Sequence, residues 1–420
     1  MLRYLHDLHF GRVDPKGLGF RVSPRRGPQP DLVALLAATV ANGRVAHLSA
    51  ELAPQLAQYR ELRDALARYR RIARELPATT LAAPKAPLRV GDGYADLGRL
   101  RERLIALGDL PAQAAPATTG YDDALAAGVA RFQARHGLAA DGVLGKATLA
   151  ALNVPIGARV EQIELALERM RWLALPDARR VVAINIPMFR LWAWDGTHGA
   201  RPALAMNVIV GRALKTQTPV FADEMRYLIF RPYWNVPRSI ARNETLPAIA
   251  RNPGYLAKND MEIVQGESDA ARVLPPTPES VALLRDGLAR VRQRPGPANS
   301  LGLVKFIFPN DANVYLHGTP AKSLFERSRR DFSHGCVRVA DPVALAQWLL
   351  DDQPQWTRER IVAAMEGQKS ERVNLTKPVP VLLYYVTAVV SPEDGRLHFA
   401  DDIYGHDRKL AQALAALRAE

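Results

Sequence analysis

The sequence predicts a multidomain α+β protein, a helical first part followed by a mostly β second part. Three observations carry that prediction. Apolar residues recur at helical spacing as far as Leu173, as in Leu97, Leu100, Leu104 and Leu107, or Ile163, Leu167 and Met170. From Val181 the period changes to short runs rich in Val and Ile, such as Val181 to Ile186 and Ala205 to Val210. Further on, Cys336-Val337-Arg338-Val339 alternates like a strand and runs into Asp341-Pro342, an N-cap with a first-turn proline. Leu345, Trp348 and Leu349 then follow at helical spacing.

The elements follow in order. Residues 1 to about 85 are rich in Ala, Leu and Arg at helical spacing, and the stretch from Leu81 to Pro87 reads as a linker. Asp96 opens a helix closed by Gly108, and Leu125, Val129 and Phe132 mark a second closed by Gly137. Asp141-Gly142-Val143-Leu144-Gly145 turns into a third, Lys146 to Leu152, before a long helix from Val160 to Leu173. The stretch between Trp234 and Lys305 is too long for a hairpin and holds helical pieces at Ile240 to Ile249 and Ser280 to Arg292. Long insertions beside a site are often lids. Pro378 to Val390 and Leu397 to Tyr404 read as strands.

Composition bounds the function. The 420 residues, 48% hydrophobic, suffice for two or three globular units. No stretch has the apolar length of a membrane helix; the best candidate, Val379 to Val390, is interrupted by Pro380. The formal charge of +13 favours an anionic polymer as partner. Nucleic acid is not expected: no recognition helix, aromatic RNA-binding signature or zinc knuckle stands out. The positive charge is spread over Arg-rich helices such as Tyr59 to Arg74. Met1 to His6 lacks the apolar core of a signal peptide.

The chemistry concentrates around one sulfur. Cys336, the single cysteine, sits in Ser333-His334-Gly335-Cys336-Val337-Arg338, downstream of Tyr315-Leu316-His317-Gly318-Thr319. It has no intrachain partner for a disulfide. Alternation puts Val314 and Leu316 inward and Tyr315 and His317 together on the other face; Val337 and Val339 likewise leave Cys336 and Arg338 facing one way. A thiol of pKa ~8.5 is only a few per cent ionised at neutral pH, and an imidazole raises its nucleophilicity by ion pairing or by taking the proton. His317 suits that role. Gly335 leaves backbone N–H groups open to an oxyanion, so the reaction class is acyl transfer. Zinc bound by His317, His334 and Cys336 is the competing reading. His334 on a turn and the lack of a His-x-x-x-His or Cys-x-x-Cys pair argue against it, so neither metal nor cofactor is expected. Each remaining residue has a structural alternative: bracing for His334, an ion pair for Arg338, packing for Tyr315 and Trp234.

His-Gly-Thr followed by Ser-His-Gly-Cys-Val-Arg resembles the signature of the L,D-transpeptidase catalytic domain. The resemblance extends to Asn185-Ile186-Pro187, Val210-Gly211-Arg212, Thr218-Pro219-Val220-Phe221, Tyr233-Trp234-Asn235-Val236-Pro237, Pro295 to Gly302 and Lys305 to Asn310, as in the large Gram-negative branch. It implies that Cys336 attacks diaminopimelate in a tetrapeptide stem, releasing D-alanine, and that a second stem's amine then takes the acyl group. It makes His317 the base, oriented by the Gly318 carbonyl, and gives oxyanion or substrate-binding roles to Gly335, Tyr315, Ser333, His334, Arg338 and Trp234. Many members of the branch carry Asp where this chain has Gly318. Carbapenems would acylate Cys336. A periplasmic location follows, with the leader already removed, and the protein is expected to be a monomer. A cysteine carboxypeptidase or hydrolase, attachment of a lipoprotein to the wall, and non-catalytic wall binding are the alternatives.

Phe132 to Leu138 and Asp141 to Thr148 resemble a small three-helix peptidoglycan-binding module. The expected organisation is thus a helical scaffold, 1–87; the binding module, 88–153; a returning scaffold helix, 154–178; the catalytic domain, 179–410, with a lid insertion at about 238–298; and a C-terminal tail, 411–420.

Overall fold

The computed structural model describes residues 1–22, 30–113, 120–173, 180–196, 201–214 and 216–419; the boundary expected at 178–179 lies outside them. The strands are β1 (Arg180–Asn185), β2 (Arg190–Asp195), β3 (Leu204–Gly211), β4 (Phe221–Phe230), β5 (Trp234–Asn235), β6 (Met261–Gln265), β7 (Arg272–Leu274), β8 (Arg290–Gln293), β9 (Val304–Ile307), β10 (Leu316–His317), β11 (Asp331–Ser333), β12 (Val337–Val339), β13 (Glu371–Tyr384), β14 (Ala388–Val390) and β15 (Leu397–Phe399). One sheet runs β11-β3-β12-β10-β9-β4-β13-β1-β2, and β3 also pairs with β2, so the sheet closes on itself like a barrel.

Alternation along the strands divides the apolar residues between two cores. Val182, Ile184, Val208, Leu228, Phe306, Leu316 and Val337 pack inside with Leu345 and Leu349 of the Pro342–Leu349 helix. Ala183, Trp192, Leu382 and Tyr384 point the other way and join the core of the helical part. There the Ala57–Glu75 helix lays Tyr59, Leu62, Tyr69 and Ile72 against Ile163, Leu167 and Met170 of the Ile156–Trp172 helix. Between these two scaffold helices lie three shorter ones, Leu97–Leu107, Asp123–Arg135 and Lys146–Leu152. A buried ion pair locks them down: Arg135 holds Asp109 through Nε (2.6 Å) and reaches Tyr69 Oη (3.2 Å) and the Leu397 carbonyl (3.3 Å).

Several elements depart from expectation for local reasons. Asp96 does not cap its helix with its side chain; its carboxylate instead accepts from the Ala82 N–H of the linker (2.7 Å) and pairs with Arg99. The helix expected at Ser280 to Arg292 is Pro278–Arg285, held by a Thr277 capping box; Gly287, at φ 77°, ends the turn and Arg290–Gln293 becomes β8. The strand expected from Pro378 to Val390 is two. After Tyr384 the Val386 N–H goes to Asn185 Oδ1, and β14 pairs separately with β15. The expected strand from Leu397 to Tyr404 stops at Phe399. The tail expected at 411–420 is, over its described residues 411–419, the end of the His406–Ala419 helix, and Ala411 and Leu414 pack on the catalytic core beside fully buried Leu410.

Residues 234–293 form a small lobe of their own, a sheet ordered β5-β8-β6-β7 around Val236, Ile263, Leu284 and Val291. Its helical run includes a π-helical turn, Ala241–Thr245. Buried Asn299 fastens the base of the lobe, donating to the carbonyls of Pro232 (3.2 Å) and Arg294 (2.8 Å).

Candidate active site

Three short strands assemble the site. β10 and β12 run parallel with Leu316 opposite Val337 and His317 opposite Arg338, while β9 runs antiparallel to β10 with Lys305 opposite His317. Val304, Phe306, Val314, Leu316, Val337 and Val339 all enter the inner core. By the two-residue period, Lys305, Tyr315, His317, Cys336 and Arg338 therefore share the opposite face.

Cys336 is half-buried, with its Sγ 3.8 Å from the Asn313 carbonyl. Asn313 holds a left-handed conformation (φ 51°) in a turn fixed by Asn310, which bonds both the N–H and the carbonyl of Val314 (3.1 and 2.7 Å). Burial pushes the thiol pKa up; hydrogen bonds from Tyr315 and the charges of Lys305 and Arg338 pull the other way without reversing it.

His317 is buried, and its Nδ1 lies 2.6 Å from the Gly318 carbonyl. A carbonyl only accepts, so Nδ1 carries the proton and Nε2 is the unprotonated nitrogen. Burial first, then the positive charge of Arg338, depresses this imidazole to about 3. The resting pair is thus a neutral thiol and a neutral imidazole. No hydrogen bond joins Sγ to His317 among the described residues; in unliganded sites such contacts often tighten only with substrate. The Gly318 carbonyl is itself held from behind. Gly302, at φ 64°, packs its Cα against the Gly318-Thr319 peptide, and a Cβ there would come within 2.6 Å of the Thr319 nitrogen. Gly318 has ordinary room for a Cβ, 3.5 Å from the nearest atom, so glycine is not required there to place its carbonyl.

Other expected residues fall elsewhere. The Gly335 N–H is not open to an oxyanion, because it donates to Ser333 Oγ (3.2 Å). Ser333 is 2% exposed and its hydroxyl donates to the Cys336 carbonyl (2.6 Å), bracing the loop. The Cys336 N–H has no such partner among the described residues. His334 is exposed and meets Glu244 of the π-helical turn at 2.7 Å, joining the lobe to the cysteine loop. Trp234 is half-buried and packs on the lobe's own core. Arg338 has no ion-pair partner among the described residues and its Nε bonds nothing; burial, then Arg212, lowers its pKa. Lys305, absent from the sequence reading of the site, sits 3.8 Å from the centroid of the Tyr315 ring. Its place between Val304 and Phe306 was the available signal.

A closed sheet carrying a histidine on one strand and a cysteine immediately before the strand beside it defines the class. Residues 179–392 match the family of the L,D-transpeptidase catalytic domain, and the chain belongs to that family. Residues 94–152 match a family described as a candidate peptidoglycan binding domain, and residues 1–66 a scaffold domain. A protein of Haemophilus influenzae, named as a candidate L,D-transpeptidase, is 32% identical over 248 residues, 59% of this chain and 48% of its own. The match therefore spans about half the length of that relative. Among solved structures, the L,D-transpeptidase (residues 123–326) from Xylanimonas cellulosilytica is 19% identical over 72% of this chain and 99% of its own, with a TM-score of 0.22. The Ldtfm-avibactam carbamoyl enzyme is 11% identical over 55% and 64%, with a TM-score of 0.20.

Proposed function

We propose that this protein is a cysteine L,D-transpeptidase that joins diaminopimelate residues of two peptidoglycan stems through a thioester, releasing D-alanine from a tetrapeptide donor. The single observation that carries the proposal is the shared face of Cys336, His317, Lys305 and Arg338, with the Cys336 N–H lacking a partner among the described residues.

His317 Nε2 takes the thiol proton as Sγ attacks the carbonyl carbon of diaminopimelate. The oxyanion accepts the Cys336 N–H, a type of contact worth about 2.7–4 kcal/mol of barrier. Collapse breaks the amide bond, His317 returns the proton to the departing D-alanine amine, and the thioester remains. The acceptor amine then attacks this thioester, passing a proton through His317 to the departing sulfur, and the new amide leaves with the thiol restored. Cross-links require that an amine rather than water reach the thioester. The Glu244 to His334 contact, which brings the lobe over the cysteine loop, supports a site that limits water. Lys305 and Arg338 supply positive charge beside the sulfur, suited to the carboxylates of a stem. The module at 94–152 would hold the wall, with the whole protein working in the periplasm.

Incubation with tetrapeptide muropeptides and mass spectrometry tests the proposal. Cross-linked dimers with D-alanine released are expected. Tripeptide monomers alone would make the enzyme a carboxypeptidase, and unchanged tetrapeptides would end the acyl-transfer reading.

A further inference from the structure

We propose that Thr218, held by Tyr404, is a positioning residue that aims the Cys336 N–H at the oxyanion; this rests on the acyl-transfer reading above. Thr218 is 1% exposed and lies in the segment after β3, outside the strands that build the site. Its hydroxyl donates to the Gly335 carbonyl (2.8 Å) and accepts from the Gly211 N–H (2.9 Å), so both its proton and a lone pair are committed. Gly335 has φ 115°, a conformation that suits glycine and lets its carbonyl turn back to Thr218.

The peptide plane does the rest. In a trans peptide the carbonyl and the following N–H point in opposite directions. Fixing the Gly335 carbonyl on Thr218 therefore fixes the Cys336 N–H away from Thr218, and that is the N–H with no partner among the described residues. From the other side, Ser333 Oγ holds the Cys336 carbonyl, while Arg212 N–H and Thr216 Oγ hold the Ser333 carbonyl (3.1 and 3.0 Å). The cysteine loop is thus hung from Arg212, Thr216 and Thr218.

Thr218 is in turn anchored by a residue beyond the stretch matched to the catalytic family. Tyr404 Oη donates to the Gly211 carbonyl (2.6 Å) and accepts from the Thr218 N–H (3.2 Å). The Tyr404 N–H is held by Tyr385 Oη (3.0 Å), whose own proton goes to Asp402 (2.7 Å). Asp402 also accepts from the Asp407 N–H (3.0 Å), and Asp407, three residues after Tyr404, pairs with Arg169 of the scaffold helix and accepts from Thr387 Oγ (2.5 Å). The path from scaffold to nucleophile is continuous.

The test compares Thr218→Val, Thr218→Ser and Tyr404→Phe. Two reactions at Cys336 are followed by intact mass: single-turnover acylation by a tetrapeptide donor, which forms an oxyanion, and alkylation by iodoacetamide, which does not. Thr218→Val should lower the limiting acylation rate 10-fold or more, at unchanged half-saturating donor concentration, while alkylation stays within twofold. Thr218→Ser should restore acylation to within threefold, and Tyr404→Phe should fall between. Acylation by Thr218→Val at the parent rate would overturn the proposal, as would parallel loss of both reactions. If the parent protein is not acylated at all, the acyl-transfer reading fails; deuterium uptake of the peptide spanning Ser333 to Val337 then decides the relay. Faster uptake in Thr218→Val upholds it and equal uptake refutes it.

Discussion

Lowering the pH from 7 to 5 should leave single-turnover acylation of Cys336 nearly unchanged. The base must be neutral to accept the thiol proton, and burial together with Arg338 holds His317 at about 3. At pH 5 about 99% of such an imidazole is still neutral, whereas one at 6.5 would go from about 76% to about 3% neutral and acylation would drop about 25-fold. Removing a cause should move the limb: Arg338→Gln should raise its midpoint towards 6.5, whatever it does to the rate. A second reading separates a neutral pair from a preformed thiolate and imidazolium. Because burial raises the thiol pKa, thiolate absorbance at 240 nm, taken as parent minus Cys336→Ser, should be absent from pH 5 to 8 and grow only in the alkaline range. An acid limb in the parent near 6.5, or thiolate absorbance already present at pH 5, would refute the reasoning.

Other perturbations reach different parts of the structure. Gly302→Ala, which forces a Cβ against the peptide that orients His317 and strains a positive φ, should cut acylation at least tenfold and lower the melting temperature. Asp109→Ala leaves Arg135 charged and buried, and should cost about 3–5 kcal/mol in denaturant unfolding while the alkylation rate of folded Cys336 is unchanged. Glu244→Ala frees the lobe from His334 and should raise the ratio of tripeptide monomer to cross-linked dimer among muropeptide products. Meropenem should add its mass to the parent and not to Cys336→Ala.

What the sequence disclosed depended on how local the causes were. The common face of Tyr315, His317, Cys336 and Arg338 follows from a two-residue period and needs no tertiary information. The orientation of His317 by the Gly318 carbonyl was expected from family resemblance alone, and the 2.6 Å contact is there. The loop around Cys336 was not legible in detail. Gly335 was expected to offer an N–H that in the fold belongs to Ser333, since the competition is decided by a hydroxyl two residues away. Trp234 stands within a motif of the catalytic family, yet the lobe's own core claims its ring. Thr218 and Tyr404 were invisible as a pair because 186 residues separate them, and only the closed sheet brings them together. Strand ends were misjudged wherever a side chain captured the backbone, as Asn185 does at Val386.

The most direct test is intact and peptide mass spectrometry of the protein trapped with a tetrapeptide donor, alongside Cys336→Ser. A donor acyl group, less D-alanine, attached to the peptide carrying Cys336 and removed by an amine acceptor to give a dimer is the predicted result. An adduct that persists in Cys336→Ser, or dimers formed with no adduct on that peptide, would contradict the account.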